Sequence, residues 1–268
     1  MTYWRDKVAL ITGSSAGLGR ALASALGAAG AHVVLAARDP DRLDAAVQSL
    51  EATGVTALGM STDVTDDAQV AALVEATIQR FGRIDALINN AGRSARGLVL
   101  ETSPAEFREL LELNFLAAVR CTAVVAPHLI KSRGHLVNIG SLASKSAAQY
   151  LAAYPASKAP LVVYSQQLRM ELGPQGVHVL FVCPGPIARA DAGQRYDERA
   201  AGLPAAARRP GAGVKLKGIP PDQLSQLVLQ ACQRRTAELV VPRKARWLFA
   251  VSQLCPTFGD WVVKRMTS

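Results

Sequence analysis

The chain has 268 residues, half of them hydrophobic, 5% aromatic and 19% charged, which suffices for a sizeable core and excludes a disordered chain. Its four cysteines, Cys121, Cys183, Cys232 and Cys255, stand far apart with no CxxC pair, so neither a disulfide framework nor a zinc site is expected, and reduced, mostly packed thiols suit the cytosol. The net charge of +9 is uneven: residues 201–268 carry eleven Lys/Arg against three Asp/Glu, which sets an anionic partner (a lipid surface, an acidic substrate or nucleic acid) against a merely solvated basic face.

The opening MTYWRDKVAL has no apolar run of signal-peptide type, and no stretch is expected to reach the ~20 apolar residues of a membrane span. A cytoplasmic protein is therefore expected. VALIT (8–12) predicts the first strand. Residues 17–29, rich in alanine and leucine and closed by Gly30, predict a helix. AHVVLAA (31–37) is the second strand. Asp39, Pro40 and Asp41 open a helix to about Thr53, and a third strand near 55–60 leads to Asp63. A helix over 66–81 stops at Gly82, and IDALINN (84–90) is the fourth strand. The pattern then repeats: a long helix at 104–131, the strand HLVNIG (135–140), a helix at 152–172 and the strand VHVLFVC (177–183). A helix at 221–235 and the strand ELVVP (238–242) follow. Strands apolar throughout, separated by helices, predict a doubly wound, Rossmann-like parallel sheet in one α/β domain over residues 1–242. The stretch 186–220, rich in Gly, Pro, Ala and Arg, predicts a substrate loop or lid.

TGSSAGLG (12–19) joins the first strand to the first helix. Its glycines would let backbone amides approach a pyrophosphate at a helix N-terminus, although the spacing is not GxGxxG. At the end of the second strand, where an NAD enzyme commonly carries an acid for the ribose 2′-OH, stand Ala37 and then Arg38. A guanidinium matches a 2′-phosphate in charge and fork geometry, so NADP(H) is expected. The rival reading makes Arg38 a surface partner of Asp39 and Asp41.

In YPASK (154–158), Tyr154 and Lys158 lie four apart on one helical face. A neighbouring ammonium favours the phenolate and so makes Tyr154 a better acid or base near neutrality. Ser141 follows the strand HLVNIG, at the sheet edge where α/β sites form. TGSSAGLG, Asp63–Val64, NNAG (89–92), Asn114, Ser141, YPASK and CPGPI (183–187) occur in this order. The set resembles the short-chain dehydrogenase/reductase family, strongly over about 7–190.

That resemblance implies an oxidoreductase moving a hydride between NADP(H) and an alcohol or carbonyl substrate. It implies Tyr154 as general acid/base, Lys158 as modulator of Tyr154 and ligand of the nicotinamide ribose, and Ser141 as the group orienting the substrate oxygen. Asn114 would hold a relay water, or else only satisfy buried backbone groups. Gly13, Ser15, Gly17, Leu18 and Gly19 would surround the pyrophosphate and ribose, and Asp63 and Val64 the adenine. Asn90, Ala91 and Gly92 would line the cofactor groove, Ile187 would receive the carboxamide, and Pro184 and Gly185 would also contact the cofactor. Asn89 is expected to tie strands together. Ala188 and Arg189 stand where many members carry a threonine. Dimers or tetramers are usual in the family, so a homo-oligomer is expected. A non-catalytic NADP-binding regulator on the same fold is the alternative, and no motif supports a nucleic-acid partner.

A pocket lined by Leu98, Val99, Leu142, Tyr150 and Leu151 would suit a hydrophobic carbonyl. The tail, 243–268, is predicted to be amphipathic. Trp247, Leu248, Val251, Leu254 and Cys255 recur at helical spacing, followed by Phe258, Trp261 and Val262, with Arg243, Lys244, Arg246, Lys264 and Arg265 at the ends. A lid, a subunit interface and a peripheral membrane contact all fit this pattern.

Overall fold

In the computed structural model, which describes residues 3–189, 200 and 202–267, the strands are β1 (Val8–Thr12), β2 (His32–Ala37), β3 (Ala57–Ser61), β4 (Ala86–Asn89), β5 (His135–Ile139), β6 (His178–Pro184) and β7 (Glu238–Val241). They form one parallel sheet in the order β3-β2-β1-β4-β5-β6-β7. Strands β1, β4, β5 and β6 are buried along their whole length. Helices therefore cover both faces, which is why these strands read as unbroken apolar runs. The expected doubly wound, single-domain α/β fold is what the chain adopts.

On one face α1 (Gly17–Ala28), α2 (Pro40–Glu51) and α9 (Pro221–Gln233) bury Leu22, Leu26, Leu43, Leu224 and Val228 against Ile11, Val33, Leu35 and Leu180. On the other, α3 (Asp67–Phe81), α5 (Ala117–Ser132) and α7 (Pro160–Leu172) bury Leu73, Cys121, Leu129 and Leu168 against Leu10, Leu87 and Leu136. The chain runs outward from β1 to β3 and then returns to β4. This reversal opens a crevice beyond the carboxyl ends of β1 and β4. Local signals set the helix ends. Asp39 accepts from Arg42 N at 3.1 Å, Asp66 accepts from Gln69 N at 3.0 Å, and Gly82 ends α3 at φ +73°.

Three readings need correction. The predicted helix at 104–131 is α4 (Pro104–Leu111), a π turn at Glu112–Leu116, and α5. Its 29 residues, Pro104–Ser132, are long and apolar enough to cross a membrane, contrary to the expectation that no stretch would be. Here that apolarity covers the sheet, through Cys121, Val125 and Leu129. The predicted helix at 152–172 is split into α6 (Tyr154–Lys158) and α7, because Pro160 donates no backbone bond. Ala159 nonetheless keeps helical dihedrals. Within 186–220, Ile187 bridges Ile219, and α8 (Ala205–Arg208) and a 3₁₀ turn at Pro210–Gly213 follow. The rest of the expected lid, 190–199 and 201, lies outside the described residues.

The tail forms α10 (Ala245–Leu254) and α11 (Pro256–Thr267). Ala245 and Phe249 are buried with Phe181, Cys183 and Val240, so α10 is fixed to the body by residues the apolar periodicity did not single out.

At the sheet's other end a polar chain crosses three elements. Tyr3 Oη and His135 Nε2 are 2.7 Å apart, His135 Nδ1 and His178 Nδ1 2.9 Å, and His178 Nε2 donates to Thr236 O at 2.8 Å. Cys232 completes the cluster, whose ligand-type atoms all lie within 4.8 Å of one another. Cysteine spacing could not reveal it, because β5, β6 and α9 contribute one member each. Each ring nitrogen has a partner when both rings are neutral. Burial, and then the neighbouring His178, push His135 down to about 3 from an ordinary 6.5, and burial also lowers His178. The unfolded chain therefore binds more protons than the native one below pH 6.5, and stability falls as pH falls. Urea denaturation should show a loss of about 2 kcal/mol from pH 7 to pH 5 for His135 alone. His135→Gln should flatten that slope; an unchanged slope would contradict the assignment.

Candidate active site

The glycine-rich turn begins the crevice. Gly13 and Gly17 have φ of +65° and +56°, a left-handed conformation that side chains resist. Among the described residues, a Cβ on Gly17 would meet only the Arg189 guanidinium, at 3.5 Å, so the turn presents bare backbone to the opening. Such a cradle at the start of α1 fits a pyrophosphate. Gly19 does not face it: a Cβ there would lie 2.3 Å from Gly13 O and 2.6 Å from Asn90 Nδ2. Its role is close packing behind the turn. Asn90 likewise braces the turn, donating to Thr12 O at 2.9 Å and Gly13 O at 3.0 Å.

The crevice holds about 900 Å³. Of the residues singled out by sequence, Gly13, Ser15, Gly17, Leu18, Arg38, Val64, Asn90, Ala91, Gly92, Ser141, Tyr154, Lys158, Pro184, Gly185 and Ile187 line it. Gly19, Asp63 and Asn114 stand behind the lining. Asp63 caps its own turn, accepting from Thr65 N and Thr65 Oγ1 at 2.9 and 2.7 Å. Partial burial raises its pKa, but these two bonds and the Arg38 charge outweigh it and hold the carboxyl below its usual range. Arg38 is exposed at the end of β2 and forms no ion pair among the described residues. Asp39 pairs with Arg42 instead.

At the floor, α6 carries Tyr154 and Lys158. Lys158 is 5% exposed, and its Nζ donates to Ile139 O at 3.0 Å. Burial lowers its pKa to about 8, which leaves roughly nine-tenths of it charged at pH 7. Ser141 caps the turn after β5, its hydroxyl accepting from Ala143 N at 3.1 Å. Asn114 sits in the π turn with its amide fully used. Oδ1 accepts from Arg93 N at 2.9 Å, and Nδ2 donates to Arg93 O at 2.9 Å and to Ser157 Oγ at 2.8 Å. These bonds tie Asn114 to the Arg93 backbone and to α6. Ser157, buried and bonded to Tyr154 O at 2.8 Å, is a linking residue inside the YPASK motif that carries no signal of its own in the sequence. Thr12 is another: its hydroxyl accepts from Asn90 N and Ala91 N, both at 3.0 Å. Asn89 reaches Asn138 Oδ1 at 2.9 Å, joining β4 to β5.

The apolar end of the crevice uses Leu142, Leu151, Pro186, Pro210 and Val214. Leu98, Val99 and Tyr150, expected in the pocket, do not line it, and Leu98 and Val99 are exposed. The loop before α6 is instead locked by a bridge between Gly97 and Leu151, with Tyr150 and Ala152 at φ +61° and +48°.

Residues 7–200 match the short chain dehydrogenase family profile. The chain is a short-chain dehydrogenase/reductase. This oxidoreductase is 32% identical over 272 residues to the ketoacyl reductase HetN of Nostoc sp., covering 98% of this chain and 90% of that one. Among solved structures it resembles the L-sorbose reductase of Gluconobacter frateurii complexed with NADPH and L-sorbose. The TM-score is 0.78 at 28% identity, covering 88% of this chain and 95% of that one. It also resembles a short-chain dehydrogenase/reductase of Burkholderia phymatum in complex with NAD, with a TM-score of 0.80 at 26% identity over 95% and 96%. Members of this fold thus use either nicotinamide dinucleotide.

Gly92 tests the bracing. A Cβ there would stand 2.6 Å from Asn114 Oδ1 and 3.1 Å from Lys158 Nζ. Gly92→Ala should lower kcat for any accepted substrate by at least tenfold, while circular dichroism keeps the native spectrum. Unchanged kcat would show that the floor tolerates displacement of both groups.

Proposed function

We propose that this short-chain dehydrogenase/reductase is an NADP(H)-dependent oxidoreductase interconverting a carbonyl and an alcohol with a Tyr154, Lys158, Ser141 and Asn114 machinery. The observation that carries the reaction class is the meeting of Tyr154, Lys158 and Ser141 on one crevice whose far end is a bare-backbone cradle. The cofactor choice is supported by Arg38, which follows Ala37 at the end of β2 and has no ion-pair partner among the described residues. Arg189, beside Gly17, adds cationic charge at the phosphate end.

A dinucleotide held at this cradle would supply the hydride in reduction and accept it in oxidation. The chain's own residues do the rest. Ser141 and Tyr154 hydrogen-bond the substrate oxygen and hold the carbonyl in one orientation. In reduction the Tyr154 phenol passes its proton to that oxygen; in oxidation the phenolate takes one. The Lys158 ammonium stabilises the phenolate and offers donors to the nicotinamide ribose. Asn114 keeps α6 in register with the Arg93 loop, through Ser157 and the Arg93 backbone. Leu142, Leu151 and Val214 give the substrate end an apolar wall, which suits a hydrophobic carbonyl. HetN bears the name of a ketoacyl reductase, which accords with that class.

Tyr154→Phe should lower turnover by two to four orders of magnitude, a range typical of a lost general acid. NADPH binding, followed by its fluorescence, should persist. Near-normal turnover with a carbonyl panel would overturn the mechanism, and no turnover by the unaltered chain would favour the regulatory alternative. Arg38→Asp should shift the NADP-to-NAD ratio of kcat/KM by about 10- to 100-fold toward NAD; an unchanged ratio would remove the cofactor assignment.

A further inference from the structure

The apolar residues of the tail divide between two sides. Ala245 and Phe249 face the body and are buried. Trp247, Leu254, Phe258 and Trp261 face outward and are 78%, 87%, 50% and 54% exposed. Trp247 and Leu254 lie seven apart on the α10 face opposite Ala245, and Phe258, Trp261 and Arg265 recur along one face of α11. The two helices are held tightly together, for a Cβ on Gly259 would come within 2.7 Å of Ser252 Cα. The outward face is therefore part of a fixed hairpin. Isolated exposed apolar residues need no explanation, but four large ones on one short hairpin do.

Charge decides what covers them. Arg243 and Lys244 stand just before α10 and Lys264 and Arg265 in the last turn of α11, while Arg246 is paired with Glu238, and Asp260 is the only acid of residues 243–268. Arg265 lies over the Trp261 ring at 5.5 Å. Lys215 and Lys217 add cations next to the hairpin, where Lys215 N donates to Met266 O at 3.0 Å. A second copy seated on this face would set like charges against each other. Nucleic acid would give Leu254 no apolar partner. An anionic bilayer satisfies both groups, because tryptophan, phenylalanine and leucine enter the headgroup–acyl boundary while lysine and arginine remain at the phosphates.

We propose that α10 and α11 form a docking surface for an anionic lipid bilayer and hold the protein peripherally on it. The surface is distinct from the crevice, so its test does not require turnover. The full chain is floated with phosphatidylcholine vesicles and with vesicles containing phosphatidylglycerol, at low and high salt. Because Trp4 is buried, Trp247 and Trp261 report docking by a blue shift of their fluorescence. Binding should require phosphatidylglycerol and weaken with salt. Lys244→Gln and Arg265→Gln should each reduce the apparent affinity roughly fivefold. Trp247→Ser with Trp261→Ser should abolish the binding while leaving the thermal midpoint unchanged, since both side chains are exposed. No flotation with anionic vesicles at low salt overturns the proposal. So does sedimentation showing a dimer that the same serine variant dissociates, because a second copy would then own the face.

Discussion

A lysine ammonium taken out of water sets the terms for the rest of the crevice. Lys158 sits on the floor with the Ile139 carbonyl as its hydrogen-bond acceptor, and burial alone draws its pKa down to about 8. An ion held this way remains charged only while its surroundings supply oriented dipoles and admit no rearrangement. Its neighbours meet that condition. Gly92 leaves room that a methyl group would fill. Asn114 and Ser157 lock α6 to the Arg93 loop, and Asn138, on the adjoining strand, is tied to Asn89 and Ser165. These are neutral hydrogen bonds, each modest, and together they leave the cation one place to be.

The π turn at Glu112–Leu116 shows how backbone geometry serves this arrangement. A wide turn within a long helix shifts the side chains that follow relative to regular α geometry, and such turns concentrate at functional sites. Here it turns Asn114 inward, while the flanking segments α4 and α5 continue as ordinary helices. The same helix brings Arg120 across to Asp67, to Glu112 at 2.9 Å and to Val64 O at 3.2 Å, so one element braces both the substrate floor and the wall beside Val64.

Much of this was legible in the sequence, for physical reasons that can be named. The unbroken apolar runs of β1, β4, β5 and β6 follow from coverage on two faces. TGSSAGLG and YPASK occupy short local segments whose geometry the chain fixes by itself. What was not legible depends on contacts distant in sequence. Gly19 looked like part of the cradle, but Gly13 and Asn90 pack against it from behind. Leu98 and Val99 looked like pocket residues, yet the Gly97–Leu151 bridge turns that loop outward. Phe249 carried no signal distinguishing it from Trp247, and only the position of Phe181 and Val240 makes one the inner face and the other the outer. The His135–His178 pair, 43 residues apart, is invisible to any motif search.

The bond from Lys215 N to Met266 O carries one more implication. Lys215 follows Val214, which lines the apolar end of the crevice, so the last helix and the lip of the pocket share a backbone link. Linkage would make any coupling through this tie reciprocal: a shift of α11 that changed the affinity for a reactant against Val214 by some factor would be matched by an equal effect of that reactant on α11. One backbone hydrogen bond, worth about 1 kcal/mol, bounds that factor near five. A single amide thus ties the end of α11 to the residue that follows Val214.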